Sequence, residues 1–227
     1  KVLSGTVAPE KLERFRREAE ALARMGHQGV VVVHELGTGP DQRPYYVMDI
    51  MPGGSLRDRV KQGPVPWQEA ARLVAKIART LHRCHARGLI HRDVKPDNVL
   101  LDEQGEPRLS DFGCVRDLAA ETLSSSRLLA GTPLYMAPEQ MEGPRVDKRA
   151  DVFSLGAVLH ELITGAPPHG GTTLRELQKN VWGRKREKPS VVVPGVPEGI
   201  DAVVDRAMAP EPSGRHASAE AFAADLD

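Results

Sequence analysis

The feature that most constrains the fold is a pair of polar segments joined by a short apolar hairpin. The first is segment 91–98, HRDVKPDN, and Asp111 follows 13 residues after Asn98. Between them, the stretches NVLL and PRLS flank the turn DEQGE, which predicts two short antiparallel strands. Because a hairpin returns the chain to its starting point, we expect Asp111 to lie beside Asn98.

These polar residues have the chemistry that phosphoryl transfer needs. In that reaction the protein mainly positions groups and neutralises charge, and it does little covalent work. Asp93 could meet the attacking hydroxyl, and Lys95 could lie near the transferred phosphoryl group. Asn98 and Asp111 offer hard oxygen ligands, which Mg²⁺ prefers. We therefore predict a catalytic set of Asp93, Lys95 and Asn98, with a magnesium site at Asn98 and Asp111.

The first quarter of the chain has a mixed pattern. Residues 9–25 have helical periodicity, while the valine-rich run 29–36 and residues 45–50 are typical of strands. The segment 37–44 contains Gly, Pro and Asp, which favour a hairpin turn. The pattern breaks at 52–54, Pro-Gly-Gly. We therefore place a boundary there, between a unit of residues 1–51 and a second unit of residues 52–227.

The second unit is predicted to be mostly helical. A long amphipathic helix is expected over 67–87, and 151–164 is apolar nearly all round, as in a helix buried in a core. Gly165 and Pro167 end that helix. Residues 113–131 have no period and predict a loop, and three weaker helices are expected near the end. The fold class is therefore α+β.

Composition excludes several functions. The charges of the 31 basic and 31 acidic residues cancel, so the chain has no net positive field that would favour binding of nucleic acid. No apolar run approaches the roughly 20 residues of a membrane-spanning helix, and no signal peptide is visible. Two cysteines, Cys84 and Cys114, form no CxxC pair, which favours a reducing intracellular setting.

Five motifs in order resemble those of eukaryotic-like (Hanks-type) protein kinases. Segment 91–98 resembles the catalytic loop, 111–113 (DFG) the magnesium loop, and 137–139 (APE) the end of the activation segment. Segment 151–156 is similar to the buried central helix of the large lobe, and Arg215 to the arginine that pairs with the glutamate of APE, here Glu139. The resemblance covers the whole chain, and GTPLYMAPEQ is similar to bacterial serine/threonine kinases.

The resemblance implies a two-lobed kinase fold and an ATP-dependent enzyme that phosphorylates Ser and Thr of proteins in signal transduction. It also implies ATP contacts in the small lobe. Lys1 resembles the strand lysine of the α- and β-phosphates, and Glu18 its helix partner, although Glu18 could belong to a solvated charged face. Segment 48–51 resembles the hinge to adenine, with Met48, Asp49 and Met51 at the nucleotide, although both methionines could simply fill the core.

Regulation by phosphorylation is one of two interpretations of the loop before APE. Arg92 could bind a phosphate on this loop, which offers Thr122, Ser124, Ser125 and Ser126. Self-association for autophosphorylation would follow. The alternative is a polar linker that is never modified. Thr132 is expected to hydrogen-bond Asp93 and Lys95, a pattern that resembles serine/threonine rather than tyrosine specificity.

The glycine-rich loop of the family and its two strands are not found in the sequence. We expect an excerpt of a longer competent kinase rather than a natural truncation, because the catalytic set is intact. The 227 residues alone are then expected to bind ATP weakly. A cytoplasmic location is expected, and the parent protein could carry a membrane anchor, as many bacterial relatives do.

Three competing interpretations remain to be weighed. A non-catalytic kinase-like scaffold is favoured by the missing glycines and opposed by the complete catalytic loop. A small-molecule kinase of the aminoglycoside phosphotransferase kind is opposed by Lys95 and by segment 131–139. A zinc site at His82, Cys84 and His85 is rejected, because His85 falls where kinases commonly have a histidine. The basic run 184–188 is interpreted as a solvated loop.

Overall fold

The computed structural model describes residues 29–40, 43–112, 133–143, 146–171 and 173–227. The predicted helix 9–25 and the predicted loop 113–131 lie outside these residues. Within the described ranges, no helix combines the length and the apolar character needed to cross a membrane.

In the described part of the chain, the strands form two antiparallel hairpins. Strands β1 (Val33–Thr38) and β2 (Pro44–Met48) pair with each other, as the sequence predicts. Strands β3 (Val99–Leu101) and β4 (Pro107–Leu109) form the hairpin predicted between the two polar segments. Strand β1 begins later than predicted, because residues 29–31 pair with Leu109 of β4 instead. The two hairpins are thereby joined through backbone hydrogen bonds.

After β2 the chain becomes helical, as predicted. Helix α1 (Leu56–Lys61) begins with a capping box, in which Ser55 and Asp58 satisfy each other's backbone amides. Helix α2 (Trp67–His85) is long and amphipathic and places one face in the core. Ser55 also forms a bridge to Leu100 of β3. The turn at 52–54 thus leads from β2 to α1 and is hydrogen-bonded to β3, while the proposed boundary at residue 51 stays a prediction.

The remaining helices are arranged around a buried central helix. The short α3 (Pro138–Glu142) precedes α4 (Arg149–Thr164), in which every residue from Ala150 to Ile163 is buried. Gly165 ends α4 in the left-handed conformation, with φ of 79°. Among the residues described after α4, four helices follow rather than the three predicted, and they are α5 (Leu174–Trp182), α6 (Pro189–Val192), α7 (Glu198–Ala207) and α8 (Ala219–Ala224).

Close packing of α4 against the residues around the end of α7 depends on a glycine. A Cβ atom at Gly156 would lie 2.8 Å from the side chains of both Ala207 and Met208. Such a distance is well inside ordinary van der Waals contact, so a larger residue would force the helices apart. Each apolar side chain fully buried around α4 contributes on the order of 2 kcal/mol to stability.

A buried ion pair connects Arg215, between α7 and α8, to Glu139 in α3. The Arg215 guanidinium makes two parallel hydrogen bonds to the Glu139 carboxylate, at 2.7 and 2.8 Å. It also donates to the backbone oxygens of Ala209, Pro210 and Arg149. The Arg215 side chain is fully buried. This pair confirms the pairing of Arg215 with Glu139 that the resemblance implies.

We expect Arg215→Met to lower the free energy of unfolding by about 3–5 kcal/mol, because it leaves the Glu139 carboxylate without its buried partner. Urea denaturation measures this loss. The matched control is Arg206→Met, since Arg206 pairs with Asp225 at the surface, and exposed pairs contribute at most about 1 kcal/mol. Equal losses in the two variants would contradict the prediction.

Two buried histidines, His160 in α4 and His169 after it, contact the backbone of the segment that follows α5. Burial lowers the pKa of His169 to about 4, although its bond to the Lys185 backbone oxygen acts in the opposite direction. Burial also lowers the pKa of His160. Arg186, predicted to be solvated, has a buried side chain instead and pairs with Asp205. The rest of the basic run stays exposed or half-buried.

We expect the free energy of unfolding to fall as the pH drops below about 6.5. In the unfolded chain His169 then takes up a proton, whereas in the folded chain it stays neutral down to about pH 4. His169 alone could account for a loss on the order of 3 kcal/mol across this window. Urea denaturation of wild type and His169→Asn measures it, and the pH dependence should be shallower in the variant. Identical slopes would contradict the prediction.

Candidate active site

The predicted catalytic residues meet in one hydrogen-bonded cluster. The Lys95 Nζ donates to Asp93 Oδ2 at 2.9 Å. The Asn98 amide Nδ2 donates to the Asp93 backbone oxygen at 2.8 Å and to Asp93 Oδ2 at 3.0 Å. The side chains of Asp93 and Lys95 are only 12% and 13% exposed. The carboxylate is therefore held in a fixed orientation by an ammonium and an amide.

The hairpin returns the chain to Asn98, as the spacing predicts. The Ser110 backbone amide donates to the Asn98 backbone oxygen at 2.9 Å, and its hydroxyl contacts the same oxygen at 3.2 Å. Asp111 is thus one residue from a direct contact with Asn98. Its backbone has φ of 53°, the left-handed region that side chains seldom adopt. Phe112 is buried, with its ring centroid 4.5 Å from that of His91.

The catalytic loop is held by the carboxylate of Asp151, which lies in the central helix α4. Asp151 is fully buried and accepts from the backbone amides of His91 at 2.9 Å and Arg92 at 2.8 Å. The His85 Nε2 lies 2.7 Å from the same carboxylate. Arg92 has φ of 64°, so its strained backbone depends on this support. His91 is a buried packing residue, as predicted, and bonds the Ser110 backbone oxygen.

A second carboxylate of α4 supports the other end of the loop. Glu161 is buried and bonds Arg57 Nη1 at 2.7 Å and the Tyr135 hydroxyl at 2.5 Å. Arg57 also donates to Asp97 of the catalytic loop at 3.2 Å. Burial acts to lower the pKa of Arg57, but the bonds to Glu161 and Tyr135 raise it overall. This arginine therefore stays charged and links α1, α4 and the loop.

The predicted hinge residues connect β2 to α1. Met48 is partly buried and packs against the core, as the core-filling interpretation of this methionine predicts. The Asp49 backbone amide donates to the Val32 backbone oxygen at 3.1 Å, and its carboxylate lies 2.6 Å from His34 Nε2. Met51 accepts a hydrogen bond from the Gly54 amide. Contact of these residues with adenine stays a prediction.

Several predicted residues lie outside the described part of the chain. They are Lys1, Glu18, Gly113, Thr122, Ser124, Ser125, Ser126 and Thr132. Their predicted contacts with ATP, with a phosphate or with Asp93 therefore stay predictions.

Sequence reasoning missed four residues that organise the site. Asp151 and Glu161 were included only as members of an apolar helix, although a carboxylate in such a helix is itself a signal of a buried partner. Arg57 follows the turn at 52–54 and carried no motif. Tyr46 was read only as a strand residue, yet its hydroxyl donates to Asp111 Oδ1 at 3.1 Å.

Comparison with known proteins agrees with this geometry. The family model described as protein kinase domain matches residues 1–225. The serine/threonine-protein kinase PknL of Mycobacterium tuberculosis is 36% identical over 95% of this chain and 54% of its own length. The serine/threonine-protein kinase PknB of Mycobacterium leprae is 38% identical over 100% of this chain and 38% of its own length. The probable serine/threonine-protein kinase PknB of Bifidobacterium longum is 36% identical over 95% of this chain.

The chain belongs to the protein kinase domain family, in its Hanks-type bacterial serine/threonine branch, and has the α+β kinase fold. It spans between about a third and about half of the length of these curated relatives. The resemblance stated from the motifs is thereby confirmed.

We expect Asp151→Asn to destabilise the fold by roughly 2 kcal/mol or more and to lower any transferase activity by at least about tenfold. An amide has one acceptor oxygen, so it cannot accept all the hydrogen bonds that the carboxylate receives. Thermal unfolding and initial-rate assays measure the two effects. The control is Asp147→Asn, because Asp147 pairs with Arg149 at the surface. An Asp151→Asn variant with wild-type stability and activity would contradict the prediction.

Proposed function

We propose that this chain is the catalytic part of an ATP-dependent protein kinase that phosphorylates serine and threonine side chains of proteins. The observation that carries the proposal is the cluster of Asp93, Lys95 and Asn98, held by two buried carboxylates of α4. A protein without catalytic function would gain little from fixing a loop of charged residues at this cost in desolvation.

Each member of the cluster has a role in the proposed reaction. The Asp93 carboxylate orients the attacking hydroxyl and accepts its proton. The Lys95 ammonium, 2.9 Å from Asp93 Oδ2, lies where it can also neutralise charge on the transferred phosphoryl group. Hydrogen bonds from Lys95 and Asn98 hold this carboxylate in one orientation.

A divalent cation fits the donor set beside this cluster. The Asn98 amide nitrogen donates two hydrogen bonds to Asp93, which turns the amide oxygen away from that residue. The carboxylate of Asp111 follows directly after Ser110, which is bonded to Asn98. An amide oxygen and a carboxylate are suitable Mg²⁺ ligands. Asn98 and Asp111 would hold Mg²⁺, which would neutralise phosphate charge when bound with ATP.

The remaining partners of the proposed reaction are ATP and a protein substrate. In this proposal Met48, Asp49 and Met51 meet adenine, while Lys1 and Glu18 serve the α- and β-phosphates. Arg92 would bind a phosphate on the loop before APE, and self-association would allow autophosphorylation. The family match over residues 1–225 supports these assignments.

We expect the full-length protein to transfer labelled phosphate from Mg²⁺·ATP to itself and to a generic basic protein. Asp93→Asn should lower the rate by about 100-fold or more, because proton transfer by a positioned group typically contributes that much. The labelled residues are then identified as phosphoserine or phosphothreonine by acid hydrolysis.

The matched control is Glu103→Gln, an equal change of charge at an exposed site on the β3–β4 hairpin. Its rate should stay within about twofold of wild type. A folded, ATP-binding protein that transfers no phosphate would instead identify a kinase-like scaffold. Phosphotyrosine as the main product would contradict the proposed substrate class.

A further inference from the structure

Tyr46 places a hydroxyl group inside the core next to the predicted cation site. It lies in β2, where Pro44 and Tyr46 are buried while Val47 is exposed. Its side chain is among the largest fully buried ones in the described residues, with 1% of its surface exposed. A buried tyrosine hydroxyl needs a hydrogen-bond partner, because an unsatisfied one costs roughly 1–3 kcal/mol.

Among the described residues, the Tyr46 hydroxyl contacts the carboxylate of Asp111. The Tyr46 hydroxyl donates to Asp111 Oδ1 at 3.1 Å, across 65 positions of sequence. Asp111 is held in the left-handed region, with φ of 53°, and the next residue, Phe112, packs in the core against His91. The backbone of Asp111 is therefore fixed by the packing of Phe112, whereas the rotation of its carboxylate is restrained by Tyr46.

The strand that carries Tyr46 is connected to the segment that carries Asp111. The Val31 amide donates to the Leu109 backbone oxygen at 2.9 Å, and the Leu109 amide to the Gly29 oxygen at 2.8 Å. The Asp49 amide, at the end of β2, donates to the Val32 oxygen. These backbone bonds connect β2 to β4 through residues 29–32, so the fold sets the distance between the hydroxyl and the carboxylate.

We propose that Tyr46 is a positioning residue for the divalent cation that accompanies ATP. Its hydroxyl holds the Asp111 carboxylate in the orientation in which that residue binds the cation. This inference rests on the proposed function, since it deepens the role of Asp111 in the same site.

The chemical argument is that of an outer-shell hydrogen bond. Carboxylates that bind metal ions are themselves oriented by hydrogen bonds, and loss of such a partner typically weakens metal affinity by about 10–100-fold. A phenylalanine at position 46 would keep the ring and its packing but would remove the donor. The carboxylate of Asp111 would then rotate more freely. Binding of the cation would have to restrict this rotation, which lowers the affinity for the cation.

The test compares Tyr46→Phe with wild type in the full-length protein. Mn²⁺ is titrated in the presence of a nonhydrolysable ATP analogue, and free Mn²⁺ is measured by electron paramagnetic resonance. We expect the affinity for Mn²⁺ to fall by about tenfold or more in Tyr46→Phe. A change of less than about twofold, or tighter binding, would overturn the proposal.

The matched control is Tyr45→Phe, the same chemical change at the adjacent residue of the same strand. The Tyr45 hydroxyl bonds Glu35 on the outer side of the hairpin, at 3.2 Å. Its loss should leave Mn²⁺ affinity unchanged. An equal loss of affinity in both variants would show a general effect of the hairpin and would overturn the specific role of Tyr46.

Steady-state kinetics separate positioning from a purely structural role. In Tyr46→Phe the Mg²⁺ concentration for half-maximal rate should rise by about tenfold, while kcat at saturating Mg²⁺ returns near wild type. A lower kcat that excess Mg²⁺ does not restore would contradict the proposal. The Mn²⁺ titration needs no turnover. It therefore still tests the positioning role of Tyr46 if the proposed kinase activity is not found.

A second measurement applies if Tyr46→Phe does not fold. Incorporation of 3-fluorotyrosine at position 46 keeps both the ring and the hydroxyl, and its fluorine NMR signal reports on the hydrogen bond. We expect the signal to shift when Mg²⁺ is added to the protein with the ATP analogue. A signal that does not move while Mg²⁺ binds would overturn the proposal.

Discussion

The catalytic loop depends on the buried carboxylate of Asp151 in the central helix α4. That carboxylate accepts from the backbone amides of His91 and Arg92, and His85 contacts it from α2. Burying a charge in an apolar core is costly, and these bonds offset the cost. The negative charge also lies in the first turn of α4, where the helix dipole favours it. Asp93 follows directly after the two supported residues, so its position is set by α4 rather than by the loop.

Glu161 extends the same principle to the far end of the loop. It lies ten residues after Asp151 on α4, about 15 Å along the helix axis. Through Arg57 it reaches Asp97, and through its bond with Tyr135 it reaches the segment before α3. A single apolar helix thus holds the loop by two carboxylates. The otherwise apolar surface of α4 packs against the surrounding helices, which keeps both carboxylates in place.

Asp111 is fixed by a different set of contacts, which come from the strands. The pairing of residues 29–31 with Leu109 joins the first hairpin to the second. Phe112 packs on His91, and Tyr46 bonds the Asp111 carboxylate. The two parts of the site are therefore supported by different elements of the fold. Asp93 and Asn98 depend on the helices, while the carboxylate of Asp111 depends on β2 and on the joined hairpins.

The sequence alone determined the fold class, the long helix α2, the buried helix α4 and the meeting of Asp93, Lys95 and Asn98. The elements follow from local periodicity, and Asp93, Lys95 and Asn98 lie so close together in segment 91–98 that their contact needs no distant part of the chain. Only the tertiary structure decided that Asp151, Glu161, Arg57 and Tyr46 support the site, because their partners lie between 26 and 104 positions away. It also decided that residues 29–31 pair with β4 rather than extend β1. Contacts at such separations depend on how the elements pack, which local pattern does not encode.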